Sequence, residues 1–135
     1  MKTRRTPALA AEHAELFVLS RPRSCLGLVA APSGADALAL VGWDGPANWD
    51  NDTATFSAVV SNWEQRFGAC VAALGSDTPH VSVATPPTSR EDALLVAAEH
   101  FPFCPDNIWQ GPRPQTLDAY ADRLIDTHCR EFWWD

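Results

Sequence analysis

The sequence predicts an α+β domain with a mostly antiparallel sheet of about six strands and three helices packed mainly on one face. Two observations predict this class: two segments carry apolar residues at helical spacing and a third begins with a capping box, and five of six short apolar segments end at Pro, Gly or other turn residues. The chain has 135 residues, the length of one ordinary domain. We expect residues 1–14 to form a weakly helical or frayed leader and residues 15–135 to form a single globular domain.

The first part of this domain is predicted to contain three strands, at residues 15–20, 25–31 and 36–43. Residues 32–35 combine Pro, Ser and Gly between the last two strands, which is typical of a hairpin turn. The third strand is apolar almost throughout, a pattern typical of a strand buried on both faces at the centre of a sheet.

A polar loop at 44–52, carrying an exposed Trp49, leads into the first predicted helix. Asp52 or Thr53 is a suitable N-cap for this helix, and Gly68 follows its end as a C-terminal glycine does. Its apolar residues recur at helical spacing along one face. They are Phe56, Val59, Val60, Trp63 and Phe67.

Two short strands are predicted next, at 69–74 and 80–84. The segment 75–79 between them contains Gly, Ser, Asp and Pro, so we expect the two strands to pair as a hairpin.

The last third of the chain is predicted to contain two helices and a strand. Thr88 and Glu91 have the spacing of a capping box, and Pro102 limits the second helix to about Phe101. Thr116 caps a third helix, and an aromatic strand at 129–135 closes the sheet.

The segment 99–111, which reads as an irregular loop, contains the chain's densest set of reactive and polar side chains. Cys104 is a candidate nucleophile, with His100 four residues earlier as the base and Asp106 or Glu99 as the group that orients the imidazole. The commoner role of such a cysteine is a buried core residue, and a helix C-terminus before it raises the pKa of a thiol. Glu99 and Asp106 are a second candidate pair, of catalytic carboxylates, although turn and cap roles are commoner.

The same segment offers a metal site and a binding surface. His100 and Cys104, with His128 and Cys129 from the last strand, make a possible zinc set, but its spacing is unlike that of known zinc sites. The phosphate-loop and dinucleotide-binding motifs are absent from the sequence, so we expect no cofactor. The candidate binding residues are Glu99, Asn107, Trp109, Gln110 and Trp134.

Charge and hydropathy limit the possible partners. The net charge is −7, with 17 acidic and 10 basic residues, which argues against nucleic acid and suits a basic protein partner. No segment approaches the ~20 apolar residues of a membrane-spanning helix. Glu12, His13 and Glu15 interrupt the only apolar run that resembles a signal peptide. We therefore expect a cytoplasmic protein whose four cysteines are reduced thiols.

Several phrases of the sequence resemble a known bacterial family, the one catalogued as domain of unknown function 4253. The most specific are Glu-His-Phe-Pro-Phe-Cys-Pro-Asp at 99–106 and Phe-Trp-Trp-Asp at 132–135. The resemblance covers roughly residues 25–135 and implies a domain boundary and a shared fold, but no activity. The other matching phrases lie at 34–37, 41–43, 63–69, 81–87, 97–98 and 107–111.

The sequence favours a non-enzymatic protein-binding module, and an immunity or antitoxin-like protein is one version of it. The acidity, the aromatic-rich segment 99–111 and the lack of a catalytic signature are the reasons. The alternative is an enzyme or small-ligand-binding protein that uses His100, Cys104 and Asp106. A third reading is a scaffold subunit whose aromatic C-terminal strand pairs with another chain.

Overall fold

The computed structural model describes residues 2–41, 43 and 53–134, and in these ranges the chain is α+β with six helices and three strands. The elements in chain order are α1 (Lys2–Ser20), α2 (Gly34–Leu40), α3 (Thr53–Phe67), β1 (Ala69–Leu74), β2 (Pro79–Val83), α4 (Arg90–Phe103), α5 (Asp106–Trp109), α6 (Leu117–Leu124) and β3 (Cys129–Glu131). The α+β class is confirmed, whereas the expected sheet of six strands with three helices is wrong.

The sheet has the strand order β1-β2-β3, and both pairs are antiparallel. The predicted hairpin is confirmed, with Ala69 opposite Val83 and an irregularity between Val71 and Ala73. The chain returns at its end to add β3 beside β2, where Glu131 lies opposite His80. The last strand ends at Glu131 in the structure, so only the first part of the predicted strand at 129–135 pairs with the sheet.

The three strands predicted before residue 44 are all absent from the structure. Residues 15–20 are the end of α1, and residues 25–31 have no regular secondary structure. The third predicted strand lies mostly in α2, where Ser33 caps the helix by accepting a hydrogen bond from the Asp36 amide at 3.3 Å. Ala and Leu alternate through α2 and are strong helix formers, which outweighs the resemblance of an apolar run to a buried strand.

The helix α3 and its glycine terminator are confirmed. The helix ends at Phe67, and Gly68 follows with a φ of 64°, the left-handed conformation that favours glycine. Phe56, Val60 and Trp63 are buried as the stripe predicts. The polar loop 44–52, with Trp49 and the alternative cap Asp52, lies outside the described residues.

The cap of α4 lies one residue later than predicted. The Ser89 hydroxyl, not that of Thr88, accepts a hydrogen bond from a backbone amide of the first turn, that of Asp92 at 3.1 Å. The helix also continues past Pro102 to Phe103, and the Cys104 amide still donates to the His100 carbonyl at 2.8 Å.

The Thr116 cap of α6 is confirmed.

Helices cover both faces of the sheet rather than mainly one. Val81 belongs to the core cluster around Trp63 of α3, whereas the neighbouring His80 ring contacts Phe17 of α1 at a centroid distance of 4.8 Å. Because successive side chains of a strand point to opposite faces, α1 and α3 lie on opposite sides of the sheet. No helix among the described residues is long and apolar enough to cross a membrane.

Candidate functional site

Cys104 is a core residue in the structure. Its side chain is fully buried, and Sγ lies 2.9 Å from the Trp133 carbonyl oxygen and 3.4 Å from Oδ1 of Asn107. Burial raises the pKa of the Cys104 thiol to about 11, although these hydrogen bonds oppose the shift. The thiol is therefore protonated near neutral pH, which removes the reactive form that a nucleophilic cysteine needs.

His100 lies on the buried face of α4. Its Nδ1 atom is 2.7 Å from the Tyr120 hydroxyl, and its ring packs against Trp63 and Phe132 at centroid distances of 5.0 Å. Burial, together with the positive charge of Arg130, places the pKa of His100 well below its usual value. The imidazole is neutral and enclosed, in a setting typical of a hydrogen-bonded core histidine.

Asn107 connects the segment 99–111 to the end of the chain. Its Nδ2 donates to the Glu131 carbonyl at 2.8 Å, and its Oδ1 accepts from the Trp133 amide at 3.2 Å. Trp134, 2% exposed, adds a third link by donating its indole N–H to the Phe103 carbonyl at 3.1 Å. The residues that looked catalytic or ligand-binding in sequence thus include several that hold the C-terminal segment in place.

Glu99 forms a surface ion pair. Its two carboxylate oxygens accept from the Arg66 guanidinium at 2.7 and 2.8 Å, and Oε2 also accepts from the Trp63 indole at 3.1 Å. The hydrogen bonds from Arg66 lower the pKa of Glu99 more than its partial burial raises it. The carboxylate is therefore ionised and hydrogen-bonded to Arg66 and Trp63. It carries no proton to donate, which does not suit a general acid.

The remaining predicted binding residues lie on α5 and directly after it. The Asp106 carboxylate accepts a hydrogen bond from the side-chain amide of Gln110 at 3.1 Å. Trp109 is 58% exposed and packs one edge against Phe101 at a centroid distance of 5.2 Å. Trp109 and Gln110 are thus exposed at the surface, whereas Trp134 is a core residue.

The possible zinc ligands do not converge in the structure. His128 donates its Nδ1–H to the Val83 carbonyl, 2.8 Å away, and Cys129 is exposed. Within the described ranges, no group of three or more His, Cys, Asp or Glu side chains is placed to hold a metal ion.

An open groove of about 450 Å³ lies between α1 and the sheet, on the face opposite Val81. Its polar centre is a contact between His80 Nδ1 and a Glu131 carboxylate oxygen at 3.1 Å. Burial lowers the pKa of His80, more than the nearby Glu131 carboxylate raises it. The groove is lined by His13, Leu16, Phe17, Ser20, Arg21, Ala72, Ala73, His80, Cys129 and Glu131.

Sequence reasoning missed this groove because it interpreted residues 1–14 as a leader and 15–20 as a strand. Four of the lining residues, His13, Leu16, Phe17 and Ser20, occur at i, i+3, i+4 and i+7. That spacing is the signature of one helix face, so it was the signal that could have predicted α1 and its groove.

A second surface feature is the segment 24–31, which has no regular secondary structure. Leu26 is 96% exposed and Leu28 is 98% exposed, the two largest exposures among the large apolar side chains of the described residues. The backbone of residues 25–31 makes no hydrogen bond within the part of the chain that the structure describes. The segment therefore offers both apolar side chains and unpaired amides to solvent.

One comparison with known proteins found a match. The model of the family described as "Domain of unknown function (DUF4253)" matches residues 25–135, which is most of the chain. No curated protein and no solved structure matches the chain.

Proposed function

We propose that this chain, which belongs to the family described as Domain of unknown function (DUF4253), is a non-enzymatic module that binds a protein partner. The observation that carries the proposal is the almost complete exposure of Leu26 and Leu28 in one segment without regular secondary structure. Apolar side chains grouped in this way favour contact with another protein, because burying each leucine is worth roughly 1.5–3 kcal/mol.

The segment 24–31 suits binding by strand addition. Leu26 and Leu28 are two residues apart, so they lie on the same side when the backbone is extended. Gly27 between them has no atom within 4 Å of the position that a Cβ would occupy, so a partner strand has open access. A partner with an exposed sheet edge would pair with the free backbone groups and cover both leucines.

The partner we propose is a basic protein. The chain carries a net charge of −7, and opposite charge accelerates encounter and disfavours acidic competitors. An immunity or antitoxin-like role, in which the acidic chain covers a basic toxin surface, is one form of this function. The four free thiols support a reducing compartment, so we place the module in the cytoplasm.

The test measures the retention of a basic protein partner on three immobilised proteins. They are the wild type, the double variant Leu26→Ser/Leu28→Ser, and the control Leu95→Ser. Leu95 is 64% exposed on α4, so its replacement removes the same kind of apolar surface elsewhere. We expect a basic protein to be retained by the wild type and the control, released at higher salt, and lost from the double variant. Equal retention by all three proteins would overturn the proposal.

A second candidate function is the binding of a small molecule in the groove beneath α1. Its volume of about 450 Å³ falls within the roughly 300–1,000 Å³ typical of ligand pockets. Partial burial of the Cys129 side chain, together with the nearby Glu131 carboxylate, raises the pKa of its thiol, which favours reversible binding over covalent catalysis there.

The dye anilinonaphthalene sulfonate tests this second function. We expect saturable fluorescence enhancement with the folded wild type and with the surface control Ala98→Phe, and loss of it in Ala73→Phe, whose ring fills the groove. Dye binding that is unchanged in Ala73→Phe would place the dye elsewhere and count against the groove.

A further inference from the structure

The helix α1 lies outside the hydrophobic core of the domain. Neither of the two core clusters among the described residues contains a residue of α1. No side chain among residues 7–20 is fully buried, and the least exposed ones form a half-buried stripe along one face of the helix. The stripe consists of Leu9, Ala10, His13, Ala14 and Phe17. The contact of α1 with the rest of the chain therefore buries little apolar surface.

The contact between α1 and the sheet is also poor in polar interactions. The helix packs against β1 and β2, where the Phe17 ring meets the His80 ring. Between residues 7–20 and the three strands, all of which the structure describes, no hydrogen bond or ion pair is formed. Leu19 is 79% exposed, so α1 also leaves a large apolar side chain in solvent. A contact with so few buried groups opens at a lower free energy than a packed core does.

The connection between α1 and the rest of the chain allows the helix to move as a unit. The helix ends at Ser20, and residues 24–31 have no regular secondary structure. Every residue of both core clusters lies on the far side of this connection, between Ala35 and Trp134. The match to the family model also begins at residue 25, so α1 lies outside the matched domain.

The groove beneath α1 exists only while the helix lies on the sheet. Four of its lining residues belong to α1, five belong to the strands, and Arg21 directly follows the helix. A molecule in the groove contacts the helix and the sheet together, so it binds only the state in which α1 is docked. Such a ligand shifts the equilibrium towards the docked state, and its loss favours release of the helix.

We propose that α1 is a detachable helix, which a ligand of the groove clamps onto the sheet. Without the ligand, α1 leaves the sheet as a unit while both core clusters stay folded. Its departure exposes His80, which is buried when the helix is docked. The clamp rests on the second candidate function, whereas the detachment rests only on the contacts of the helix.

Native-state hydrogen exchange of the intact chain, followed by NMR, tests the detachment. A free helix of this length is only marginally stable in water, so release removes the protection of its amides. We expect residues 10–19 to share one opening constant, about 100-fold or more above that of the slowest amides of α3 and α4. Protection equal to that of α3 and α4, or protection that rises gradually along α1 to their level, would overturn the proposal.

Two variants of α1 locate the contact that holds the helix. Phe17→Ala removes the ring that packs against His80, and we expect roughly tenfold faster exchange of α1 alone. Leu19→Ala removes an exposed side chain of the same helix and should change the exchange of α1 by less than about twofold. Equal acceleration in the two variants, or acceleration that extends to α3 and α4, would contradict the detachment of α1.

Anilinonaphthalene sulfonate, the dye that tests the second candidate function, also tests the clamp. We expect saturating dye to slow the exchange of α1 in the wild type but not in Ala73→Phe, whose ring fills the groove. Dye that binds the groove without slowing the exchange of α1 would refute the clamp. Absence of dye binding would overturn the second candidate function and the clamp together, whereas exchange of the dye-free protein would still decide the detachment.

Discussion

The Sγ atom of Cys104 lies 2.9 Å from the carbonyl oxygen of Trp133, so the most reactive-looking residue of the sequence holds the C-terminal segment. Asn107 and Trp134 make parallel links between the same two parts of the chain. The segment 99–111 and the end of the chain are thus hydrogen-bonded to each other, and both contribute side chains to the larger core cluster around Trp63 and Phe132.

Replacing Cys104 by Ala is expected to lower the free energy of unfolding by about 1–3 kcal/mol, through the lost S–H hydrogen bond and a small cavity. Urea denaturation monitored by tryptophan fluorescence measures this change. Cys25→Ala is the matched control, because Cys25 is exposed, and it should change stability by less than about 0.5 kcal/mol. Similar stabilities of the two variants would contradict the role of Cys104 in the fold.

Cys104 should also resist alkylation in the native protein. Its thiol is buried and has a pKa of about 11, so it has almost no thiolate at pH 7.5. Mass spectrometry after iodoacetamide treatment should find Cys25 modified and Cys104 protected until urea unfolds the chain. Modification of Cys104 before Cys25 in the native state would revive its candidacy as a nucleophile.

The N-cap of α4 is tested by replacing two adjacent residues, Thr88 and Ser89, which should have different effects on stability. Ser89→Ala removes the hydroxyl that caps the Asp92 amide and should cost about 1 kcal/mol of stability. Thr88→Ala removes an exposed side chain that does not cap the helix and should be nearly neutral. The reverse order of effects would place the cap at Thr88, as the sequence pattern alone predicts.

The sequence predicted the fold from α3 onward better than the part before α3, for a physical reason. In α3 and α6 one face is apolar and a cap or a glycine marks an end, so local signals agree with the final packing. In α2 the run from Ala35 to Leu40 is almost uniformly apolar, and such a run carries no period. The helical structure of this run follows instead from the helix propensity of Ala and Leu and from the Ser33 N-cap.

The candidate site was harder to predict than the fold. Residue types identified His100 and Cys104 as reactive, but reactivity depends on burial and partners, which come from distant parts of the chain. Tyr120 and Trp133, the partners concerned, are 20 and 29 residues away in sequence. The groove residue His80 similarly acquires its partner Glu131 only when β3 returns beside β2.

The ion pair between Arg66 and Glu99 should contribute little to stability despite its two short hydrogen bonds. Both side chains are substantially exposed, at 45% and 36%, so solvent screens their attraction. A double-mutant cycle with Arg66→Ala and Glu99→Ala is expected to give a coupling energy of about 0.3–1 kcal/mol that decreases as salt is added. A coupling above about 2 kcal/mol would show that the pair is more enclosed than its exposure indicates.

His100 should make the protein less stable in mild acid. Its pKa is well below 6.5 in the folded state, whereas an unfolded chain restores it to about 6.5, so below that pH the unfolded state binds more protons. The free energy of unfolding therefore falls as the pH is lowered from about 7 to 5, with a contribution approaching 1.4 kcal/mol per pH unit from this group. His80, whose pKa is also lowered, contributes in the same direction. In His100→Gln the slope over this interval should become smaller than in the wild type. Parallel curves for the wild type and His100→Gln would mean that the native protein protonates this histidine as readily as the unfolded chain does.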